Sequence, residues 1–119
     1  MNSEPAAQLL RENLFLLFRA QLRKDLEGAG IPAEFTDRLL GEYAVLKQLL
    51  TVEVERLSRE RRSLLAGLLY RVDISETQLA QCRQKEPSWS LEEVMAELII
   101  RRILQKVILK KTFSDKRET

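Results

Sequence analysis

Thirty consecutive residues, Glu42 to Arg71, contain no proline and one late glycine, Gly67. Read as one helix, they would form a rod of roughly 45 Å at 1.5 Å per residue. A compact domain of this length is only about 35 Å across, from a radius of gyration near 13 Å. Such a helix must protrude from the fold or lie against a partner. The expected shape is therefore an elongated all-α bundle, built around one long central helix and dimeric.

Composition supports the helical class. Glycine appears four times and proline three times in 119 residues, while leucine, glutamate, arginine, lysine and glutamine dominate. These are strong helix formers, and 45% hydrophobic content suffices for a core. A single all-α domain over 1–119 follows, with helices expected at about 4–27, 33–40, 42–71, 75–84 and 91–111 and a frayed tail at 112–119.

The first helix is expected to be capped by Ser3, with Pro5 in its first turn and Gly28 and Gly30 after its end. Leu14-Phe15-Leu16-Leu17-Phe18 turns through every direction around the axis at about 100° per residue. A helix apolar on all sides is either central in its fold or covered by another subunit. With few elements available, the second is the expectation: Leu14, Phe15, Leu17 and Phe18 form a homodimer surface.

In the long stretch the apolar column runs through Tyr43, Leu46, Leu50, Val54, Leu57, Leu64 or Leu65, Leu68 and Val72. Its period is near 3.6 residues, which suits a bundle rather than a supercoiled rod. Arg61 interrupts the column. Around it Arg59, Arg61 and Arg62 make a basic face suited to acidic groups on a partner, although Glu53, Glu55 and Glu60 offset much of its field.

Two capping boxes stand out, Ser75-Glu76-Thr77-Gln78 and Ser90-Leu91-Glu92-Glu93. Between Leu69 and Gln84 the pattern superficially looks like a helix-turn-helix, with Gln78, Gln81 and Arg83 as candidate DNA-reading side chains. Asp73 stands where that turn usually carries glycine, and Leu69 where a small residue is usual. Asp73, Glu76 and a net charge of only +2 would repel phosphates, so nucleic acid is the alternative reading and not the first.

The chain has no histidine. That removes the usual near-neutral general base and the commonest metal ligand. Glu93 and Glu97 share a helix face, but carboxylate-bridged metal bundles need Glu-x-x-His pairs. No phosphate loop, zinc spacing or nucleophile elbow is present. Cys82, the single cysteine, is expected to pack as a small hydrophobe and fits a reducing, cytoplasmic setting. The expectation is no catalytic residue, no metal and no cofactor.

Arg101, Arg102, Lys106, Lys110 and Lys111 line the last helix beside an aliphatic stripe. Basic residues late in a helix complement its dipole, and the stripe carries no interfacial aromatic before Phe113, so a core helix is expected ahead of a membrane-surface one. No apolar run approaches the roughly 18 residues that span a bilayer. The functional expectation is a non-enzymatic interaction or scaffold protein acting through apolar helix faces on a protein partner.

Overall fold

The computed structural model describes residues 12–117, and over that range the chain is all-α. Five α-helices follow one another: α1 (Glu12–Gly28), α2 (Tyr43–Glu60), α3 (Arg62–Arg71), α4 (Glu76–Lys85) and α5 (Leu91–Arg117), with a 3-10 turn at Glu34–Arg38 between α1 and α2. The expected Ser3 cap, Pro5 and Leu10 lie outside the described residues. α5 continues past Lys111 to Arg117, where a frayed tail is expected from sequence.

The expected rod over 42–71 is two helices. Leu46, Leu50, Val54 and Leu57 form the buried stripe of α2, at helical spacing. The next position of that stripe is Arg61, whose guanidinium has no place in an apolar core. There the backbone leaves the helical region, at φ −143° and ψ 60°. α3 then resumes with Leu65 and Leu68 buried, and Val72 follows at its end. The elbow also satisfies the end of α2: Arg61 N–H donates to Leu57 O at 2.8 Å and Arg62 Nε to Ser58 O at 3.1 Å.

This break overturns the elongated shape. The molecule measures 46 × 31 × 26 Å with a radius of gyration of 14.2 Å, close to the ~13.5 Å expected for a compact chain of this length. The longest helix is α5, 27 residues against which α1, α2 and α4 all pack. It serves as the common wall of the bundle.

The expected dimer is corrected by the same core. Phe18, Leu22 and Leu26 of α1 are fully buried within the chain, and Leu14 is nearly so. Phe18, Leu22 and Leu26 join Leu46, Leu50, Leu57, Leu68, Ile99, Ile100 and Ile103 in one apolar cluster. α1 is therefore apolar on many sides because it is central to its own fold, and no second subunit is needed to cover Leu14 or Phe18. Each such side chain contributes roughly 1.5–3 kcal/mol.

Two helix ends use the same device. After α1, Ile31 N–H reaches Leu26 O at 2.9 Å and Gly30 N–H reaches Glu27 O at 3.0 Å. Gly30 has φ +81°, the left-handed residue of a Schellman ending, and Leu26 and Ile31 pack as its apolar pair. After α3, Ile74 N–H reaches Leu69 O at 2.9 Å and Asp73 N–H reaches Tyr70 O at 3.1 Å. Here the left-handed residue is Asp73, at φ +62°. Arg102 steadies this turn, donating to Val72 O and to Asp73 Oδ2 at 3.2 and 3.1 Å. Both capping boxes form: Ser75 with Gln78 ahead of α4, and Ser90 with Glu93 ahead of α5.

Glycine at position 73 would relieve the left-handed strain, and the lost contact with Arg102 is mostly exposed and worth little. Asp73→Gly should raise stability by about 0.5–1 kcal/mol, read as an upward shift of the urea midpoint with an unchanged slope.

Candidate functional site

α1 and α5 run antiparallel, as their cross-links show. Asp25 meets Lys106 and Gln21 meets Lys110, so the register falls on one helix as it rises on the other. Asp25 is almost wholly buried. Its Oδ1 accepts from Arg71 Nε at 3.1 Å, and its Oδ2 accepts from Lys106 Nζ and Gln21 Nε2, both at 3.2 Å. One carboxylate thus ties α1 to α3 and α5. Gly28 makes room for it, since a Cβ there would sit 2.6 Å from Arg71 Nε.

Beyond this tie the two helices leave an open groove of about 560 Å³, lined by Leu17, Ala20, Gln21 and Lys24 of α1 and by Val107, Lys110 and Lys111 of α5. The α1 residues are spaced i, i+3, i+4, i+7, a single helix face. The floor is apolar and the rim carries three lysines. Lys110 Nζ donates to Gln21 Oε1 at 2.7 Å. None of the three forms an ion pair with a described acidic side chain. Leu16 and Leu17 are 50% and 46% exposed, and Leu109 and Phe113, on the same stretch of α5, are 52% and 65% exposed.

The four residues expected to form one self-association surface separate accordingly. Leu14 and Phe18 enter the core, Phe15 packs partly against it under Arg19, and Leu17 alone lines the groove. Of the basic residues expected along the last helix, Arg101, Arg102 and Lys106 bind Glu97, Asp73 and Asp25 within the fold. Only Lys110 and Lys111 face the groove. Lys24 completes its rim and is the residue that sequence reading missed. Its signal was the 17-20-21-24 spacing, which has meaning only once α5 is known to lie alongside.

Arg59, Arg61 and Arg62 are all exposed at the α2–α3 elbow. Arg62 is engaged with Ser58 O, while neighbouring Arg56 is held by Glu53 and Glu60. They stand apart from any described concavity. Gln78, Gln81 and Arg83 are likewise exposed on α4. Gln78 Oε1, however, accepts the Ser75 N–H at 2.8 Å, so that side chain is committed to its cap rather than free to read a base. α4 packs on α5 rather than on α3, unlike the paired helices that the helix-turn-helix likeness requires.

A second polar cluster lies on the other flank of α5. Glu97 is 1% exposed; its Oε2 accepts from Arg101 Nε at 2.6 Å, and Lys47 Nζ stands 3.5 Å from Oε1. That Oε1 has no hydrogen-bond partner. The Lys47 ammonium sits over the Trp89 ring, 3.1 Å from its centre. Beside it, Gln78, Gln81, Cys82, Lys85, Glu86, Leu98 and Arg101 line a chamber of about 170 Å³. Cys82 is buried and free. With no imidazole anywhere in the chain, the thiol has no base of the usual kind, and the cluster reads as a clamp joining α2, α5 and the Trp89 turn. Glu93 and Glu97 divide their roles: the first caps α5, the second anchors this clamp. Among the described residues no group of three acidic or thiol side chains is placed to hold a metal ion, and no helix is long and apolar enough to cross a membrane.

Burial lowers the Lys47 pKa from its ordinary 10.5, against the opposing pull of Glu93, Cys82 and Glu86. Lys47 therefore holds its proton less tightly folded than unfolded. Its unfavourable contribution is present at neutral pH and is relieved as pH rises through the folded-state value towards 10.5. Emission from Trp89, the only tryptophan, should change with a midpoint below 10.5 in an alkaline titration, and Lys47→Met should remove that step. Asp25→Asn should cost about 2–3 kcal/mol, because it leaves two cations facing a neutral amide while both still reach solvent; equilibrium urea unfolding measures it.

Compared with protein-family models, curated proteins and solved structures, the chain matches none of them.

Proposed function

We propose that the protein is a non-enzymatic interaction module that holds a helical segment of a protein partner in the α1–α5 groove. One observation carries this reading. An apolar channel, walled by two helices and lined at helical spacing, stays open to solvent with Leu17 half-exposed along it. Two parallel ridges with a groove between them are the surface that a third helix packs into. Leu17, Ala20 and Val107 would supply the contact area, and Lys24, Lys110 and Lys111 the orientation.

The absence of histidine from the sequence supports a role without chemistry of its own, and the free thiol suits a reducing compartment such as the cytoplasm. Binding rather than turnover also suits the placement of charge, since the buried carboxylates Asp25 and Glu97 are both engaged in holding helices together.

An amide NMR titration with a helical peptide of about 18 residues, bearing leucines on one face, tests the reading. Shifts should concentrate on residues 17–24 and 107–111. Leu17→Ser, at an exposed position that leaves the core untouched, should weaken binding at least about five-fold. Shifts spread over α3 and α4, or a Leu17→Ser variant that binds equally well, would sink the groove as the docking site.

A further inference from the structure

Resting on the reading of the groove as a helix-docking site, we propose that its partner is an acidic amphipathic helix, with an apolar stripe on the Leu17–Val107 floor and carboxylates meeting Lys24 on one wall and Lys110 and Lys111 on the other.

Unpaired charge lies beside an apolar floor at this groove. The chain as a whole carries only +2, so a basic site is not expected from composition alone. Elsewhere many cations are matched, although Arg19, Arg38, Arg59, Arg61, Arg62, Arg83 and Lys85 form no ion pair with a described acid. Arg23 pairs with Glu27 and Asp37, Arg56 with Glu53 and Glu60, Arg71 and Lys106 with Asp25, and Arg101 with Glu97. Three lysines border an apolar floor, and no described carboxylate pairs with them. Asp25, next to Lys24 in the chain, is already engaged by Arg71, Lys106 and Gln21. Lys110 is anchored to Gln21, which fixes its ammonium near the groove mouth before any partner arrives. Opposite charge on the partner lowers the cost of desolvating the rim, and like charge raises it.

Shape decides between acidic occupants. A bilayer surface is broad and flat, while the floor here lies recessed between two helix ridges. A small amphiphile with a single carboxylate would fit the volume but would leave two of the three lysines unmatched. A helix with apolar residues at i, i+3, i+4 and i+7 matches the α1 lining along two turns, about 10 Å. Its acidic flanks fall where the lysines stand.

Fluorescence anisotropy on the full chain tests this with two labelled helical peptides, identical in their leucine stripe and carrying either glutamate or lysine on both flanks. At about 0.15 M salt the glutamate peptide should bind at least about ten-fold tighter than its lysine twin, with the preference shrinking as salt rises. Lys24→Gln with Lys111→Gln should abolish the preference. Lys24→Glu with Lys111→Glu should invert it, and circular dichroism confirms that each variant keeps its helices. Twins of equal affinity would overturn the acidic partner while the docking groove stands. Failure of both peptides would overturn the groove as well. Vesicles rich in phosphatidylglycerol provide the third arm. Co-sedimentation lost in Lys24→Glu with Lys111→Glu, combined with no peptide binding, would assign the face to a membrane and overturn both.

Discussion

A carboxylate almost out of reach of water makes three helices meet at one point. Asp25 would be costly to bury alone, by several kcal/mol even after relaxation. Its burial is tolerable only with Arg71 from α3, Lys106 from α5 and Gln21 from its own helix in place. The interaction therefore fixes the antiparallel register of α1 against α5 and the return of α3 after the elbow. Gly28 belongs to the same arrangement, because the Arg71 side chain crosses the space a Cβ would occupy. Register, in turn, decides which side chains face each other across the groove: with Asp25 opposite Lys106, Gln21 falls opposite Lys110.

The Asp25 tie also shapes the field at the groove. By neutralising Lys106 and Arg71 it removes two cations from the surface near the site, so that the remaining lysines are a small set with defined positions. Glu97 does comparable work on the other flank, where Arg101 and Lys47 converge on it beneath Trp89. Of the five basic residues expected along α5, three bind acids of the fold and two line the groove.

Local rules were readable from the residues where a short range of chain decided the outcome. Both capping boxes form as the serine and the residue three positions on imply, and Cys82 packs as a small apolar group. Asp73 was visible as an aspartate in a glycine position, and it does take the left-handed conformation. Arg61 was visible as a gap in the apolar column, but helix propensity alone gave no reason to stop there. The reason is tertiary. The stripe must follow a molecule only 31 by 26 Å in section, and a charged residue in the stripe is the cheapest place for the backbone to turn. Leu14 to Phe18 showed the same limit. Periodicity says that a helix is apolar all round, yet whether its own chain or another covers it depends on where α2 and α5 lie. The groove was least legible, since Lys24 and Lys111 are 87 positions apart and become neighbours only through the Asp25 register.

α4 stands apart from this framework. It has one buried residue, Cys82, packs on α5, and is held at its start by a solvent-exposed Ser75–Gln78 cap. With so little apolar contact it occupies the low end of the local stability scale, able to detach and re-dock while α1, α2, α3 and α5 keep their core. Its amides would exchange with solvent far sooner than those of α2, and a thiol reagent would reach Cys82 through that opening rather than through global unfolding.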